Sequence, residues 1–566
     1  MSKKLVLALG ALAAAGVGIH FALEPFRIEL PEPKRPAKSM SLKQNWDAGQ
    51  QAAFHHTAQG TKLLPWAWFK ALEQPCLSLL GCGDLADPAY LTRFGFIPSD
   101  ETKDRLPVGF ARQDNFHDPI LKRNYAVVGF TCAACHTGEM FYGEYAIRIE
   151  GGVGMADLGA FQKAMGLALV LNDKIPGRYK RFEARVLGAG ATAEKKTELR
   201  KDLDAFMAQA MREREYTQKH GIYDNQAGFG RTDALTRIGN QVFAVDLDLF
   251  RNFAVSNAPV RFPQIWDAPW FDWVQYNSSI ADPLVRNIGE ALGVRAMLNP
   301  TDLDNSVDVG ALLQLETLLA GPGPFQGLQS PKWPGVFPAL DAEKVKKGEA
   351  LYREHCQGCH MPPVKELLAD KGARYWEDGR LKVTDINIQE IGTDPRAALD
   401  YRNRTADSGP LGKGLLTAAE GLDTVTGAIA DRFFKLQKLA PPARGEWVVR
   451  DKLIYKARPL NGVWAVAPYL HNGSVPNLYQ LLSPKGERPA RFWAGNKEWA
   501  GNKEFDPKVV GYKSEPFAGG FLYDTTLVGN SNAGHEFADG PRGNGVIGPF
   551  LCPECRWAIV EYLKSL

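Results

Sequence analysis

Apolar residues recur at helical intervals in four parts of the chain, residues 156–171, 191–220, 341–360 and 556–566. Side chains three or four positions apart share one face of a helix, so each segment predicts an amphipathic helix. In the longest segment the apolar stripe consists of Leu199, Leu203, Phe206 and Met207. We expect this stripe to pack into the protein core.

Two further segments, 124–131 and 140–150, are rich in β-branched and aromatic residues. Such a composition is typical of strands, and we expect extended chain in both places. The predicted fold class is mainly α, with long loops and a few short strands.

Length and charge narrow the class of protein. At 566 residues the chain is too long for one simple core, and a hydrophobic content of 45% is ample for burial in a globular protein. The formal net charge is +3 and no basic cluster stands out. Because polyanions bind to concentrated positive charge, nucleic acid is not an expected partner. We expect a small or apolar substrate.

The N-terminus has the pattern of an export signal. Lys3 and Lys4 precede an apolar run over residues 5–23, and an acidic, proline-rich segment follows over residues 24–36. The run is close to the length of a membrane span, and the small-residue cleavage site at 13–15 is weak. A cleaved signal and a retained inner-membrane anchor both stay open. Either one predicts a periplasmic or secreted protein of the Gram-negative type.

The most specific feature is a pair of Cys-x-x-Cys-His pentapeptides. They are Cys132-Ala-Ala-Cys135-His136 and Cys356-Gln-Gly-Cys359-His360. Two thiols at this spacing add to the vinyl groups of one haem, and the adjacent histidine binds its iron. With 8 Cys and 10 His in the chain, random placement gives about 0.002 such pentapeptides. A zinc site would need four converging ligands instead. We therefore expect two covalently bound haem c groups, with iron as the metal.

Four cysteines remain. Because an exported protein is in an oxidising compartment, Cys76 with Cys82 and Cys552 with Cys555 are expected to form two local disulfides. A catalytic dithiol is the alternative for the second pair, although no thioredoxin-like βαβ context surrounds it.

Each haem iron also has a second axial position. The last methionine, Met361, directly follows the second motif, which nearly excludes a downstream methionine ligand for that haem. One of the two later histidines, His471 or His535, is expected to complete a bis-histidine site, which passes electrons and binds no substrate. For the first haem the candidates include five methionines, and its coordination stays open: Met140, Met155, Met165, Met207 and Met211.

The haem motifs give a domain layout. Residues 1–36 are expected to form the signal or anchor with its linker, and 37–100 an N-terminal extension. Two cytochrome c-like haem domains follow over 101–320 and 339–566, separated by a Gly/Pro-rich linker at 321–338. In class I cytochromes c the helix before the motif crosses the C-terminal helix at a glycine. We expect Gly348 at that contact.

The chain resembles the di-haem cytochrome c peroxidase superfamily, and within it the branch of the bacterial rubber oxygenases and their fatty-acid-oxygenating relatives. The resemblance runs from about Phe54 to the C-terminus. Besides the haem motifs, its carriers are Gln59-Gly60-Thr61, Pro65-Trp-Ala-Trp-Phe69, Leu72-Glu-Gln-Pro75, Ile149-Glu-Gly-Gly152, Trp266, Val274-Gln-Tyr-Asn277, Arg286-Asn-Ile-Gly-Glu290, Lys456-Ala-Arg-Pro-Leu-Asn-Gly462, Tyr469-Leu-His-Asn-Gly-Ser-Val-Pro476 and Asn530-Ser-Asn-Ala-Gly-His535.

The resemblance implies unequal haems. The haem bound by His136 would be the oxygen-binding centre with an apolar distal side, and His360 and His535 would be the axial ligands of the other haem. Trp266 matches a tryptophan that lies between the two haems in the superfamily, and a buried core aromatic is its alternative. The rubber oxygenases place a phenylalanine over the oxygen site, but residues 277–282 contain none. Ile280 would keep this site apolar, whereas Glu290 could act as a distal acid of the peroxidase kind.

On this resemblance we expect a dioxygenase that adds O₂ to an unsaturated apolar substrate, either a fatty acid or polyisoprene. The second haem would maintain the active oxidation state through Trp266. One alternative is reduction of H₂O₂ with electrons from a periplasmic donor. The other is an electron-transfer protein without enzymatic activity.

Overall fold

The structure is a computed structural model that describes residues 35–370, 372–440, 449–495, 503–517 and 520–566. Apart from its last two residues, the predicted signal or anchor lies outside these ranges. Within them, no helix combines the length and the apolar character that a bilayer crossing requires.

The helices range from single turns to 27 residues. In chain order they are α1 (Ala48–His56), α2 (Trp66–Ala71), α3 (Pro88–Leu91), α4 (Ala133–His136), α5 (Leu158–Lys174), α6 (Arg178–Leu187), α7 (Ala193–Lys219), α8 (Ala234–Gly239), α9 (Pro283–Gly293), α10 (Val309–Ala320), α11 (Ala342–His355), α12 (Gln357–His360), α13 (Val364–Ala369), α14 (Ile388–Ile391), α15 (Arg396–Asn403), α16 (Ala418–Gln437), α17 (Leu478–Leu481) and α18 (Pro553–Ser565). A π-helical turn over Asn240–Asp246 follows α8 directly.

The strands are short. They are β1 (Lys38–Ser41), β2 (Leu64–Pro65), β3 (Phe110–Asp118), β4 (Arg123–Phe130), β5 (Thr137–Tyr142), β6 (Tyr145–Glu150), β7 (Arg231–Thr232), β8 (Val260–Arg261), β9 (Trp376–Glu377), β10 (Arg380–Leu381), β11 (Thr384–Asn387), β12 (Thr405–Asp407), β13 (Leu415–Thr417), β14 (Ile454–Ala457), β15 (Arg491–Ala494), β16 (Phe505–Asp506), β17 (Gly511–Tyr512), β18 (Phe521–Asp524), β19 (Glu536–Phe537) and β20 (Val546–Gly548).

Two three-stranded sheets surround the first haem motif. One has the order β2-β4-β3 and is antiparallel, and the other has the order β1-β6-β5 with a parallel β1–β6 pair. The other strands pair in twos, among them β11 with β14. The fold is therefore mixed, and the expectation of a mainly α protein with few strands was wrong in its strand content. The two predicted β segments around the first motif are confirmed.

The four predicted helices are confirmed as α5, α7, α11 and α18, with the predicted 341–360 helix interrupted at Cys356. Helices α11 and α18 cross at Gly348, as expected. A Cβ atom added at Gly348 would lie 2.0 Å from the backbone oxygen of Ala558. This close approach, together with the packing of Tyr352 against Tyr562 at 5.3 Å between ring centres, positions the helix that leads into the second motif.

The segment 321–338 contains no regular helix or strand, but it is packed. Leu328 and Phe337 are buried in a hydrophobic cluster that also includes Phe161 and Leu563, from either side of the segment. The proposed boundary between two haem domains stays a prediction.

Both predicted disulfides form, between Cys76 and Cys82 and between Cys552 and Cys555. The second pair begins α18, where the Cys552 side chain also accepts a hydrogen bond from the backbone N–H of Cys555. The four haem-motif cysteines are free.

Candidate haem-binding site

The first motif occupies the turn between β4 and β5. Its Cys-Ala-Ala-Cys-His sequence forms the single helical turn α4. Hydrogen bonds from Thr131 and Gly154 fix the chain at this turn. The Thr131 hydroxyl donates to the His55 carbonyl at 2.9 Å, and Gly154 N–H donates to the Cys135 carbonyl at 2.8 Å. A glycine is required at 109 because its φ is +91° and a Cβ atom there would lie 2.3 Å from the Ala134 backbone.

One ring nitrogen of His136 is already used. Nδ1 lies 2.8 Å from the carbonyl oxygen of Pro263, and a carbonyl can only accept a hydrogen bond, so Nδ1 carries the proton. This leaves the Nε2 lone pair free. Burial lowers the pKa of His136, which keeps the imidazole neutral at physiological pH. A neutral ring with its second nitrogen fixed by a carbonyl is the usual state of a metal-binding histidine.

The second motif follows α11 and has the same arrangement. His360 Nδ1 lies 2.9 Å from the backbone carbonyl of Arg458, and burial lowers the pKa of this histidine as well. The Tyr352 hydroxyl, from α11, donates to the Met361 carbonyl at 2.6 Å and fixes the chain directly after the motif. In both motif histidines, therefore, Nε2 carries no proton and its lone pair is free to bind a metal.

A second imidazole stands opposite His360. The ring centres of His360 and His535 are 6.1 Å apart. Two imidazoles bound to one metal through bonds of about 2 Å have ring centres about 6 Å apart. Burial lowers the pKa of His535 to about 3, so this ring is also neutral. The separation fits one iron between the two rings.

His471, the other sequence candidate, lies differently. Its ring stacks on Tyr455 with centres 4.2 Å apart, and Tyr276 lies edge-on at 6.1 Å. It lines the cavity without facing His360 at close range, so the geometry favours His535 as the partner.

One cavity of about 390 Å³ reaches both motifs. It contacts Cys132 and His136 at one place and Cys356, Cys359 and His360 at another. Another cavity, between α9 and α16, has a volume of about 20 Å³ and has no room for a haem. The five candidate methionines do not line the large cavity. Among the described residues, no imidazole faces His136 as His535 faces His360.

Helix α9 brings polar side chains to the cavity. Arg286, Asn287 and Glu290 line it, as does Gln275 from the preceding loop. Arg286 and Asn287 are both bound by the carboxylate of Glu316. Glu290 accepts a hydrogen bond from Gln275 Nε2 at 3.2 Å, and no described lysine or arginine forms a salt bridge with it. The cavity wall therefore includes a carboxyl group beside its apolar residues.

Trp266 is fully buried, and its indole N–H donates to the Asn461 carbonyl at 3.1 Å. Its backbone carbonyl accepts from Arg458, which also donates to the Gln264 carbonyl at 2.6 Å. The Arg458 carbonyl is the acceptor for His360, and Pro263, next to Gln264, is the acceptor for His136. Residues 263–266 and Arg458 thus join the supports of both motif histidines.

Ile280 is not among the residues that line the cavity, and its role at an oxygen site stays a prediction. Its backbone pairs with Val274 and Val449, and its side chain is buried in a separate apolar cluster. Val274, its pairing partner, lines the cavity instead.

Sequence reasoning assigned no role to Gln275 or Arg458. Both occur within segments that carried the family resemblance, 274–277 and 456–462. The family resemblance therefore marked these two segments. It did not show what Gln275 and Arg458 bind, because their hydrogen-bond partners are remote in sequence.

Comparison with known proteins gives one family match and two relatives. Residues 454–494 match the family described as RoxA-like, cytochrome c-like. This segment contributes Tyr455, Arg458 and His471 to one wall of the cavity. Haem c is the cofactor that such a domain implies, and the free cysteines and neutral histidines fit it. The match indicates a haem c oxidoreductase.

The relatives are two proteins of Sinorhizobium fredii (strain NBRC 101917 / NGR234), y4iJ and y4iM, both described as uncharacterized. The chain is 40% identical to y4iJ over 99% of its own length and 98% of that protein. It is 26% identical to y4iM over 56% of its own length and 68% of that protein. The chain therefore belongs to the family of y4iJ, and it carries a RoxA-like, cytochrome c-like domain at residues 454–494.

Proposed function

We propose that the protein is an exported di-haem c oxidoreductase with two unequal sites. The observation that carries the proposal is that His360 has an imidazole opposite it, at 6.1 Å, whereas no imidazole of the described residues stands opposite His136 in this way. Haem c supplies a redox-active iron, and whether one coordination position stays open decides between substrate chemistry and electron transfer. Cys132, Cys135 and His136 would hold the reactive haem, and Cys356, Cys359, His360 and His535 the electron-storing haem.

Hydrogen peroxide is the substrate that the polar groups favour. A carboxylate within the reaction cavity can take a proton from one oxygen of H₂O₂ and return it to the leaving oxygen, which is general acid–base catalysis. Glu290 has this character, and its hydrogen bond from Gln275 fixes its orientation. The reaction consumes two electrons and two protons and yields two molecules of water. A reduced periplasmic donor would supply the electrons.

Dioxygenation of an unsaturated apolar compound is the second candidate. It is favoured by the RoxA-like match and by apolar lining residues such as Ala268, Val274 and Leu319. Burial of a hydrocarbon chain contributes about 0.8 kcal/mol per CH₂, so such walls suit a lipid or polyisoprene. Both oxygen atoms of O₂ would enter the product. It is placed second because the carboxyl group of Glu290 on the cavity wall is a polar group that burial of a hydrocarbon does not require.

Two activity measurements on the purified, haem-loaded protein separate the candidates. The first follows H₂O₂ consumption with a reduced electron donor, and the second follows O₂ uptake with oleate or polyisoprene latex. We expect donor-dependent peroxide consumption and no alkene-dependent O₂ uptake. Alkene-dependent uptake with a hydroperoxide or carbonyl product would establish the dioxygenase instead. Inactivity in both assays would contradict an enzymatic role.

A further inference from the structure

A cluster of metal-ligating side chains lies outside the haem cavity. His55 and His56 end α1, and Glu101 follows α3 in a loop. One nitrogen of each histidine and one oxygen of Glu101 lie within 4.8 Å of one another. His55 is fully buried, whereas the Glu101 side chain is 27% exposed, so the cluster has a path to solvent.

His56 directs a lone pair into the cluster. Its Nδ1 lies 2.8 Å from the carbonyl oxygen of Phe110, which can only accept, so the proton is on Nδ1. If the ring is neutral, Nε2 then has no proton. This atom lies 3.1 Å from Glu101 Oε2, which is also an acceptor.

The ring of His55 faces the same carboxylate, that of Glu101, through its Nδ1 atom. Its Nε2 lies 2.8 Å from Oε2 of the buried Glu150, and this fixes the proton of a neutral ring on Nε2. Nδ1, without a proton, lies 2.7 Å from the same Glu101 Oε2 that His56 faces. When both rings are neutral, three lone pairs therefore converge on one point.

Two unprotonated ring nitrogens and a carboxylate oxygen repel one another at this distance, so a positive charge must lie between them. Two additional protons would supply this charge by making two imidazolium ions, both paired with Glu101. One divalent cation replaces both protons and bonds to all three atoms. Two imidazoles and one carboxylate are also a common ligand set for Zn²⁺, with a fourth position left for water. A carboxylate behind a ligating histidine, as Glu150 is behind His55, is the usual outer support of such a site.

We propose that His55 Nδ1, His56 Nε2 and Glu101 bind a divalent transition-metal ion of the Zn²⁺ type. Arg148, which donates to the other Glu101 oxygen at 3.2 Å, orients the carboxylate. The ion would join helix α1 to the loop that contains Glu101. Through the hydrogen bond between His55 and Glu150, it would also be linked to strand β6. The backbone carbonyl of His55 accepts hydrogen bonds from Thr131 and from Gly109 N–H. The site would therefore brace the segment that ends in Cys132.

The test uses the full, haem-loaded protein after treatment with a chelator. Calorimetric titration with ZnCl₂ is expected to show one saturable site per chain. His56→Ala and Glu101→Gln each remove a ligand at a partly exposed position, and we expect each to weaken binding more than about 100-fold. His117→Ala is the matched control, because that histidine pairs with Asp304 elsewhere and its loss should leave the zinc affinity unchanged. Haem absorbance and the unfolding temperature of each metal-free variant report whether it has folded.

Crystals of the wild-type protein soaked in ZnCl₂ give an independent measurement. Anomalous scattering at the zinc edge is expected to show a peak between His55, His56 and Glu101, distinct from iron. A zinc affinity that is unchanged in both variants, or a wild-type crystal without that peak, would overturn the proposal. The cluster would then be bridged by protons alone.

Discussion

His136 and His360 are each held through Nδ1 by a backbone carbonyl that is distant in sequence, 127 residues away for His136 and 98 for His360. The Cys-x-x-Cys-His pattern identified the two histidines because the attachment chemistry fixes the residue types locally. It did not identify Pro263 or Arg458, because any residue can supply a carbonyl. The backbone pairing of Ile280 with Val274 and Val449 likewise has no local pattern in the sequence.

The role of His535 can be tested by substitution. In His535→Ala the ring opposite His360 is lost, and one haem should change from low spin to high spin or bind water. His471→Ala is the control, since His471 stacks on Tyr455 and its removal should leave the low-spin signal intact. Electron paramagnetic resonance of the oxidised proteins measures both states. If His471→Ala, rather than His535→Ala, abolishes a low-spin signal, the assignment is wrong.

Glu290 is predicted to act as the proton-transferring group. In Glu290→Gln the side chain keeps its shape but loses its basic oxygen, and peroxide turnover should fall by about 10²–10⁴-fold. The haem spectra should not change. Glu354→Gln, at a glutamate that also lines the cavity but is 70% exposed, should retain activity. Steady-state kinetics with a reduced donor compares the two, and equal activity of Glu290→Gln and wild type would exclude the role.

Among the elements, the crossing of α11 and α18 was predictable because periodic apolar residues and one glycine are local signals. The strand content was not. Strand β11 pairs with β14 some seventy positions along the chain, Thr384 opposite Ala457, and short strands stabilised by such remote partners have little pattern of their own. This explains why helices were located well and the mixed character of the fold was underestimated.

The close approach at Gly348 predicts a large effect of one methyl group. Gly348→Ala must separate α11 from the Ala558 backbone, which overpacks the contact and should reduce the free energy of unfolding by about 1–3 kcal/mol. Gly166→Ala is a matched control, since Gly166 is also helical and has no atom within 4 Å of an added Cβ. It should raise stability by roughly 0.5–1 kcal/mol because alanine favours helix. Denaturant unfolding of both variants measures the difference, and equal effects would show that the helices do not constrain each other there.

On the scale of the whole molecule, both haem motifs open into one cavity, and one hydrophobic cluster includes residues from both halves of the chain. Arg458 connects these halves. Burial lowers the pKa of its guanidinium to about 10, so it is still charged at neutral pH. It donates to the carbonyls of Gln264 and Trp266 while its own carbonyl supports His360. The sequence pattern identified the two Cys-x-x-Cys-His motifs, but it contained no signal that one side chain links their supports.

Arg458→Gln should therefore weaken the molecule as a whole. Hydrogen bonds from a charged group contribute about 1.5–3 kcal/mol, and we expect a loss of roughly that size in the free energy of unfolding. Arg353→Gln, at an arginine that is 41% exposed and pairs with glutamates on the surface, should change it by less than about 0.5 kcal/mol. Chemical denaturation of the haem-loaded variants gives both values. A loss no larger than that of Arg353→Gln would contradict the linking role.

The inequality of the two haem sites is the central claim, and carbon monoxide measures it most directly. CO binds to reduced haem only where a coordination position is open, so it counts open sites. The measurement is a titration of the dithionite-reduced protein with CO, followed by absorbance, alongside iron analysis of the same sample. We predict two iron atoms and one bound CO per chain, because in the proposed arrangement His535 would occupy the position opposite His360 and the haem of His136 would stay accessible. Two bound CO molecules per chain, or none, would contradict it.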